Sequence, residues 1–267
     1  MNKNPQIIAI IGNMTKRERT RFRKFTYSPY LNPSPILVQL VDFIDVHIDQ
    51  KNLEGLTKES MFAHLYADAA FDYFTISNHL SDIQKLLEQY FIWEEVKEDK
   101  LIQGSKLLRK LRSQGMDKMF VSRAKAQAKV LDKQEYHDKE WFFHRYILEE
   151  ERYNFGVSKG EHARRTDLSH KLHYQELYIL SSMLISLCEW ANRRNVVFAG
   201  EEDDTGIQDK LDYIESRKNL IKEHVFLNLY YCILKTLIEP DDESYYHLFK
   251  KQLLEHPQAF PPRSLTN

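Results

Sequence analysis

Glycine and proline are scarce, at eight residues each in a chain of 267. Glycine thus holds less than half of its usual share of about 7%, and no proline falls between Pro35 and Pro240. A sheet protein of this length needs many tight turns, and tight turns consume Gly, Pro, Asn and Asp. So long a stretch almost without breakers excludes a sheet architecture and predicts long helices. Cysteine is scarcer still, with only Cys188 and Cys232, each in an apolar helical run. That is the setting of buried thiols in a reducing compartment, with a disulfide or redox pair as the lesser alternative. Long apolar runs are missing too. The longest in the apolar centre, Leu177–Cys188, is closed by Glu176 and Glu189, and a bilayer core needs about 20 residues. The N-terminal run Ile7–Ile11 is short for a signal segment and leads into Thr15-Lys16-Arg17-Glu18-Arg19 rather than a small-residue cleavage site. A cytoplasmic chain with no membrane partner is expected.

What the chain does contain is helical punctuation. Thr15 and Glu18 fit a capping box. On the helix they open, Met14, Glu18, Phe22 and Phe25 share one arc, and Lys16, Arg17, Arg19, Arg21, Arg23 and Lys24 cover the other side. Ser34 and Pro35 open a second helix over Ile36–Ile48. Thr57 caps a short one through Leu65, and a longer one runs from Thr75 or Ser77 to about Trp93 with Leu80, Ile83, Leu87 and Tyr90 as its stripe. Further helices are predicted at Val96–Ser113, closed by Gly115, and at Met116–Lys133, with Phe120, Ala124, Ala128 and Leu131 on one face. Others follow at His137–Asn154, Asp167–Phe198, Ile207–Ser216, Leu220–Ile238 and Glu243–Glu255. The connections at Phe155–Arg165 and Ala199–Gly206 carry most of the remaining glycine. The expected architecture is all-α: a helical part over residues 1–95, then antiparallel helical hairpins stacked as a short solenoid over 96–267. No clean repeat exists, although His224–Pro257 has the length of one tetratricopeptide unit without the small residues at its helix crossing.

Three stretches, Arg21-Phe22-Arg23-Lys24-Phe25, Ser28-Pro29-Tyr30-Leu31-Asn32 and Leu56-Thr57-Lys58-Glu59, resemble the opening of a group of uncharacterised bacterial proteins. The resemblance extends through Asn192-Arg193-Arg194 to Phe260-Pro261-Pro262. It implies an all-helical fold with tetratricopeptide-like hairpins in the C-terminal part, and it carries no activity across. Members of that group continue with further hairpins, so it also implies either a chain cut short at its C-terminus or a short variant. The apolar circumference of Leu220–Ile238 then predicts an exposed patch on the last hairpin, covered by further repeats of a longer chain or by self-association.

Motifs of chemistry are mostly missing. Phosphate loops need clustered glycines, whereas these are scattered, and Gly104-Ser105-Lys106 has no glycine upstream. His170, His173 and Glu176 recur at three-residue spacing, and Glu140/His144 and Glu243/His247 are i,i+4 pairs. None forms the paired Glu-x-x-His pattern of a dimetal bundle, and surface polar pairs account for them. There is no Gly-x-Ser-x-Gly, and neither cysteine has a histidine nearby in sequence. No catalytic, cofactor or metal residue is assigned, and a non-enzymatic chain is expected. The helices Thr57–Leu65 and Thr75–Trp93 have the outline of a helix-turn-helix, but the second offers Lys85 as its only cation, which favours structural packing.

Charge is the one uneven feature. Residues 16–24 hold six basic side chains and one acidic, and residues 101–134 hold nine and two, in a chain whose net charge is −1. The rest of the chain is therefore acidic. Lys118, Lys125, Lys129 and Lys133 fall within about 80° on one helix, opposite Phe120. With Arg17, Arg21, Arg23 and Lys24 they form the candidate partner-binding surface. The alternative is a solvated face paired with Glu149-Glu150-Glu151. Aromatic side chains are plentiful, and tyrosines on a concave face suit a protein interface. The expected partner is a protein or peptide, and the second reading is a nucleic-acid-associated regulator using the basic helices 16–24 and 106–133.

Overall fold

Thirteen helices make up the secondary structure of the described residues in a computed structural model, which describes residues 6–160, 168–196 and 206–257; no strand occurs among them. They group into two units, Met1–Asp99 and Lys100–Asn267.

The first unit holds α1 (Gln6–Asn13), α2 (Lys16–Thr26), α3 (Pro35–Asp49), α4 (Lys58–Leu65) and α5 (Tyr73–Glu98). The Thr15 box forms as expected: the Thr15 N–H donates to Glu18 Oε2 at 2.7 Å, and the Glu18 N–H donates to Thr15 Oγ1 at 3.3 Å. The Thr15 hydroxyl donates to Glu18 as well and is the main reason that carboxyl lies below its usual range. Thr57 builds a second box, with Ser60 as its reciprocal partner. Ser34 is the N-cap of α3 with Pro35 at its first position, but its side chain makes no capping bond. Packing follows the apolar stripes. α5 lies against each of the four preceding helices and places Ile76, Leu80, Ile83, Leu87 and Tyr90 in a core with Ile8, Phe22, Leu40 and Ile44.

α5 is longer than the expected Thr75–Trp93. Asp72 caps it, accepting from the Phe74 N–H at 2.9 Å, and it runs on to Glu98, where Glu94 is held by Arg21. The break before the next helix consequently falls at Asp99, past residue 95.

The second unit contains α6 (Lys100–Ser113), α7 (Asp117–Asp132), α8 (Lys139–Ser158), α9 (Ser169–Val196), α10 (Ile207–Ser216), α11 (Lys218–Lys222), α12 (Val225–Ile238) and α13 (Glu243–Glu255). α6 ends in a Schellman turn at Gly115 (φ 66°), whose N–H donates to Arg112 O at 3.1 Å while that of Met116 reaches Leu111 O at 2.9 Å. α6, α7 and α8 pack mutually, α8 lies along α9, α9 along α12, and α12 against α13. Phe120, Leu131, Trp141, Phe142, Leu180, Leu184 and Tyr231 fill the shared core.

Two expected boundaries move for identifiable reasons. α8 continues past Asn154 because Phe155 stacks on Phe120, centroids 4.2 Å apart at 8°. The expected helix Leu220–Ile238 is broken at Glu223–His224, where His224 is extended (φ −119°, ψ 115°). Ile221 and Leu227 are both fully buried, yet a continuous helix would set them about 120° apart; the break lets both face the core. The expected helix ends at Asp167 and Phe198, the connections through 161–165 and 199–205, and the Phe260-Pro261-Pro262 segment lie outside the described residues. No helix among the described residues is long and apolar enough to cross a membrane.

Candidate interaction surface

The two basic stretches behave differently. On α2, cations meet a row of carboxylates on α3, where Asp42, Asp45 and Asp49 recur at helical spacing. Arg19, expected on the polar side, is buried instead. Its Nε donates to Asp45 at 2.7 Å and one terminal nitrogen to Met14 O at 3.0 Å, while the other is held by Asp49. Arg23 donates to Asp42 at 2.7 Å, to Asp45 at 3.2 Å and to the Tyr27 hydroxyl at 3.1 Å. Arg21 pairs with Glu94 of α5, and Lys16 with Asp49 at 3.1 Å. These pairs lower the pKa of Asp49, chiefly through Lys16, and of Glu94, chiefly through Arg21. Arg21 and Arg23 are thus spent inside the first unit and offer no free charge. Of the four expected there, Arg17 and Lys24 remain exposed and unpaired among the described residues.

α7 keeps its charge. Phe120, Ala124, Gln127, Ala128 and Leu131 face the core, and Lys118, Lys125, Lys129 and Lys133 are exposed, with no ion pair among the described residues. The three glutamates expected to neutralise them are engaged elsewhere. Glu149 binds Arg145 and Arg152, at 3.3 and 2.8 Å, Glu150 binds Lys171 at 3.2 Å, and Glu151 binds Arg112 at 2.8 Å. Both acids of the stretch itself also point away: Asp117 pairs with Lys159 at 2.6 Å and Asp132 with Arg145 at 2.7 Å. Residue reading missed Lys106, Arg109, Lys110 and Arg123, which are exposed on α6 and α7 and unpaired among the described residues. Their signal was present in the same charge count. Among the described residues, only Arg112 of the nine cations is committed to a carboxylate. Among these charges stand Leu107, Met119, Val121 and Val130, each between 41% and 49% exposed.

Elsewhere the chemistry is quiet. Both cysteines are free and buried, and burial pushes Cys188 up to about 12 and Cys232 up to about 11. Neither supplies a thiolate near neutrality. Among the described residues no three His, Cys, Asp or Glu side chains converge as metal donors. Glu243 and His247 approach to 3.7 Å on the exposed face of α13, and His79, on the would-be recognition helix, bonds Tyr66 at 2.8 Å. Comparison of the chain with protein-family models, curated proteins and solved structures finds no match.

Proposed function

We propose that the chain is a non-enzymatic cytoplasmic adaptor whose helix pairs, α6–α7 and α12–α13, are tetratricopeptide-like hairpins, and that α6 and α7 dock an acidic segment of a partner protein. The observation that carries this reading is the run of unpaired cations on α6 and α7 interleaved with exposed Leu107, Met119, Val121 and Val130. A surface that only tracks phosphates gains nothing from apolar side chains, whereas protein interfaces anchor on them within a charged rim. The basic stretch on α2 takes no part, because three of its four arginines, Arg19, Arg21 and Arg23, are neutralised by α3 and α5.

The test uses a Glu-rich peptide with leucines at helical spacing, and duplex DNA of similar charge, each titrated at low and moderate salt. The peptide is expected to bind and to keep most of its affinity at moderate salt. Lys125→Glu, Lys129→Glu and Lys133→Glu together should cost it at least about tenfold, by like-charge repulsion, with the melting temperature nearly unchanged because exposed charges contribute little to stability. Tight DNA binding that collapses between the two salts, with no peptide binding, would instead select the nucleic-acid reading.

A further inference from the structure

The α7–α8 connection and the break between α11 and α12 line one cleft of about 230 Å³ in the second unit. His137 and Asp138 stand on one side, Glu223 and His224 on the other, and His256 closes an edge. The rings around it touch. His137 lies flat on Trp141, centroids 3.7 Å apart with 16° between planes. His224 meets Phe142 edge-on at 5.5 Å and stands 6.4 Å from the ring of His173 on α9. Three imidazoles from three distant stretches therefore meet at one corner, with His224 half-buried and His137 and His173 exposed at its rim.

The carboxylates nearby do little to neutralise them. Asp138 Oδ1 accepts from the Trp141 N–H at 2.8 Å, and Asp132 is taken by Arg145 at 2.7 Å. Glu135 and Glu223 are exposed. Burial holds His137 below its ordinary 6.5, opposed by a bond to the Gln134 backbone and by Asp132 and Asp138, and aided by the charge of Arg145. Burial also lowers His224, with His173 and His137 adding to it and Glu223 opposing.

We propose that this cleft is a proton-sensitive joint: on acidification the imidazoles of His137 and His224 take up protons together, and the N-terminal turns of α8 and α12 part. A base held below its ordinary pKa in the closed form gains its proton more readily once the joint opens. Well above about pH 6.5 both forms are neutral and pH has no effect. As pH falls from there through the lowered values, the open form binds more protons and gains up to about tenfold in population per pH unit for each extra proton. The position of His224 at the start of α12 adds to this, since a cation is unfavourable at a helix N-terminus.

Hydrogen exchange of the full chain, read by mass spectrometry and corrected for the intrinsic effect of pH, tests the joint. Between about pH 7.5 and pH 5.5 the amides of 142–146 and 228–232 should lose about fivefold or more of their protection, while those of α2 stay unchanged. The double variant His137→Gln, His224→Gln should cut the loss to below about twofold. No loss in the parent chain, or an equal loss in the double variant, overturns the proposal. Should that variant fail to fold, His173→Gln, at an exposed ring, must still reduce the loss, and an undiminished loss there overturns the proposal equally.

Discussion

The guanidinium of Arg19 meets Asp45, Asp49 and the Met14 carbonyl in a site nearly closed to water. Burying a charge is costly unless its partners and remaining protons are satisfied, and here a backbone oxygen completes the set. Arg23 and Arg21 repeat the arrangement with less burial. Their partners lie on other helices, Glu94 at 73 positions from Arg21, so no local pattern in residues 16–24 marks which cations are spoken for. The capping pair beside them is the opposite case, because both members sit within one turn. Thr15→Ala should lower stability by about 1 kcal/mol, the usual scale for a lost N-cap, measured by chemical denaturation of the full chain. An unchanged midpoint would show that the box contributes nothing to α2. Thr15 and Glu18 were legible in sequence, and Arg19 as a buried ion was not, because a cation on a polar arc is ordinarily solvated.

Helix ends divide along the same line. Gly115 closes α6 in a left-handed turn, and glycine makes that conformation readable in advance. α3 ends in the same turn with Lys51 at φ 57°, its N–H donating to Ile48 O at 3.0 Å and that of Asn52 to His47 O at 2.9 Å. A side chain in that region is strained. Lys51→Gly should therefore raise stability by about 0.5–1 kcal/mol, the relief of strain exceeding the entropy that glycine adds to the unfolded chain. A thermal melt that moves down would refute it. The stripes of α5 and α7 were legible because apolar spacing alone defines them. The break at Glu223–His224 was not, since neither residue is a helix breaker and the cause is the need to bury Ile221 and Leu227 together. Nor was the histidine cleft legible, because positions 137, 173 and 224 meet only through packing of α8, α9 and α12.

For the molecule as a whole, the expected all-α class holds throughout the described residues. Among the described helices, α13 is covered on one side only. α13 packs on α12, where Tyr245 meets Tyr231 edge-on at 6.0 Å; Phe249 and Leu253 are half-covered, and none of its side chains is fully buried. Tyr246, Leu248 and Leu254 face outward, Leu254 at 74% exposure. Exposed apolar side chains of this size favour association. Light scattering should show an apparent mass that grows with concentration, and Leu248→Lys with Leu254→Lys should suppress the growth. A constant monomer mass at every concentration would mean that the exposed face of α13 is inert.

The ring contact between His137 and Trp141 has an optical side. An excited indole gives up an electron readily to an imidazolium pressed against its face and far less readily to the neutral ring. Emission from Trp141 is therefore coupled to the proton on His137, and dims as that proton arrives. The chain holds only two other tryptophans, Trp93 and Trp190. With both replaced by phenylalanine, the remaining emission would follow one histidine, and the second unit would carry its own pH indicator.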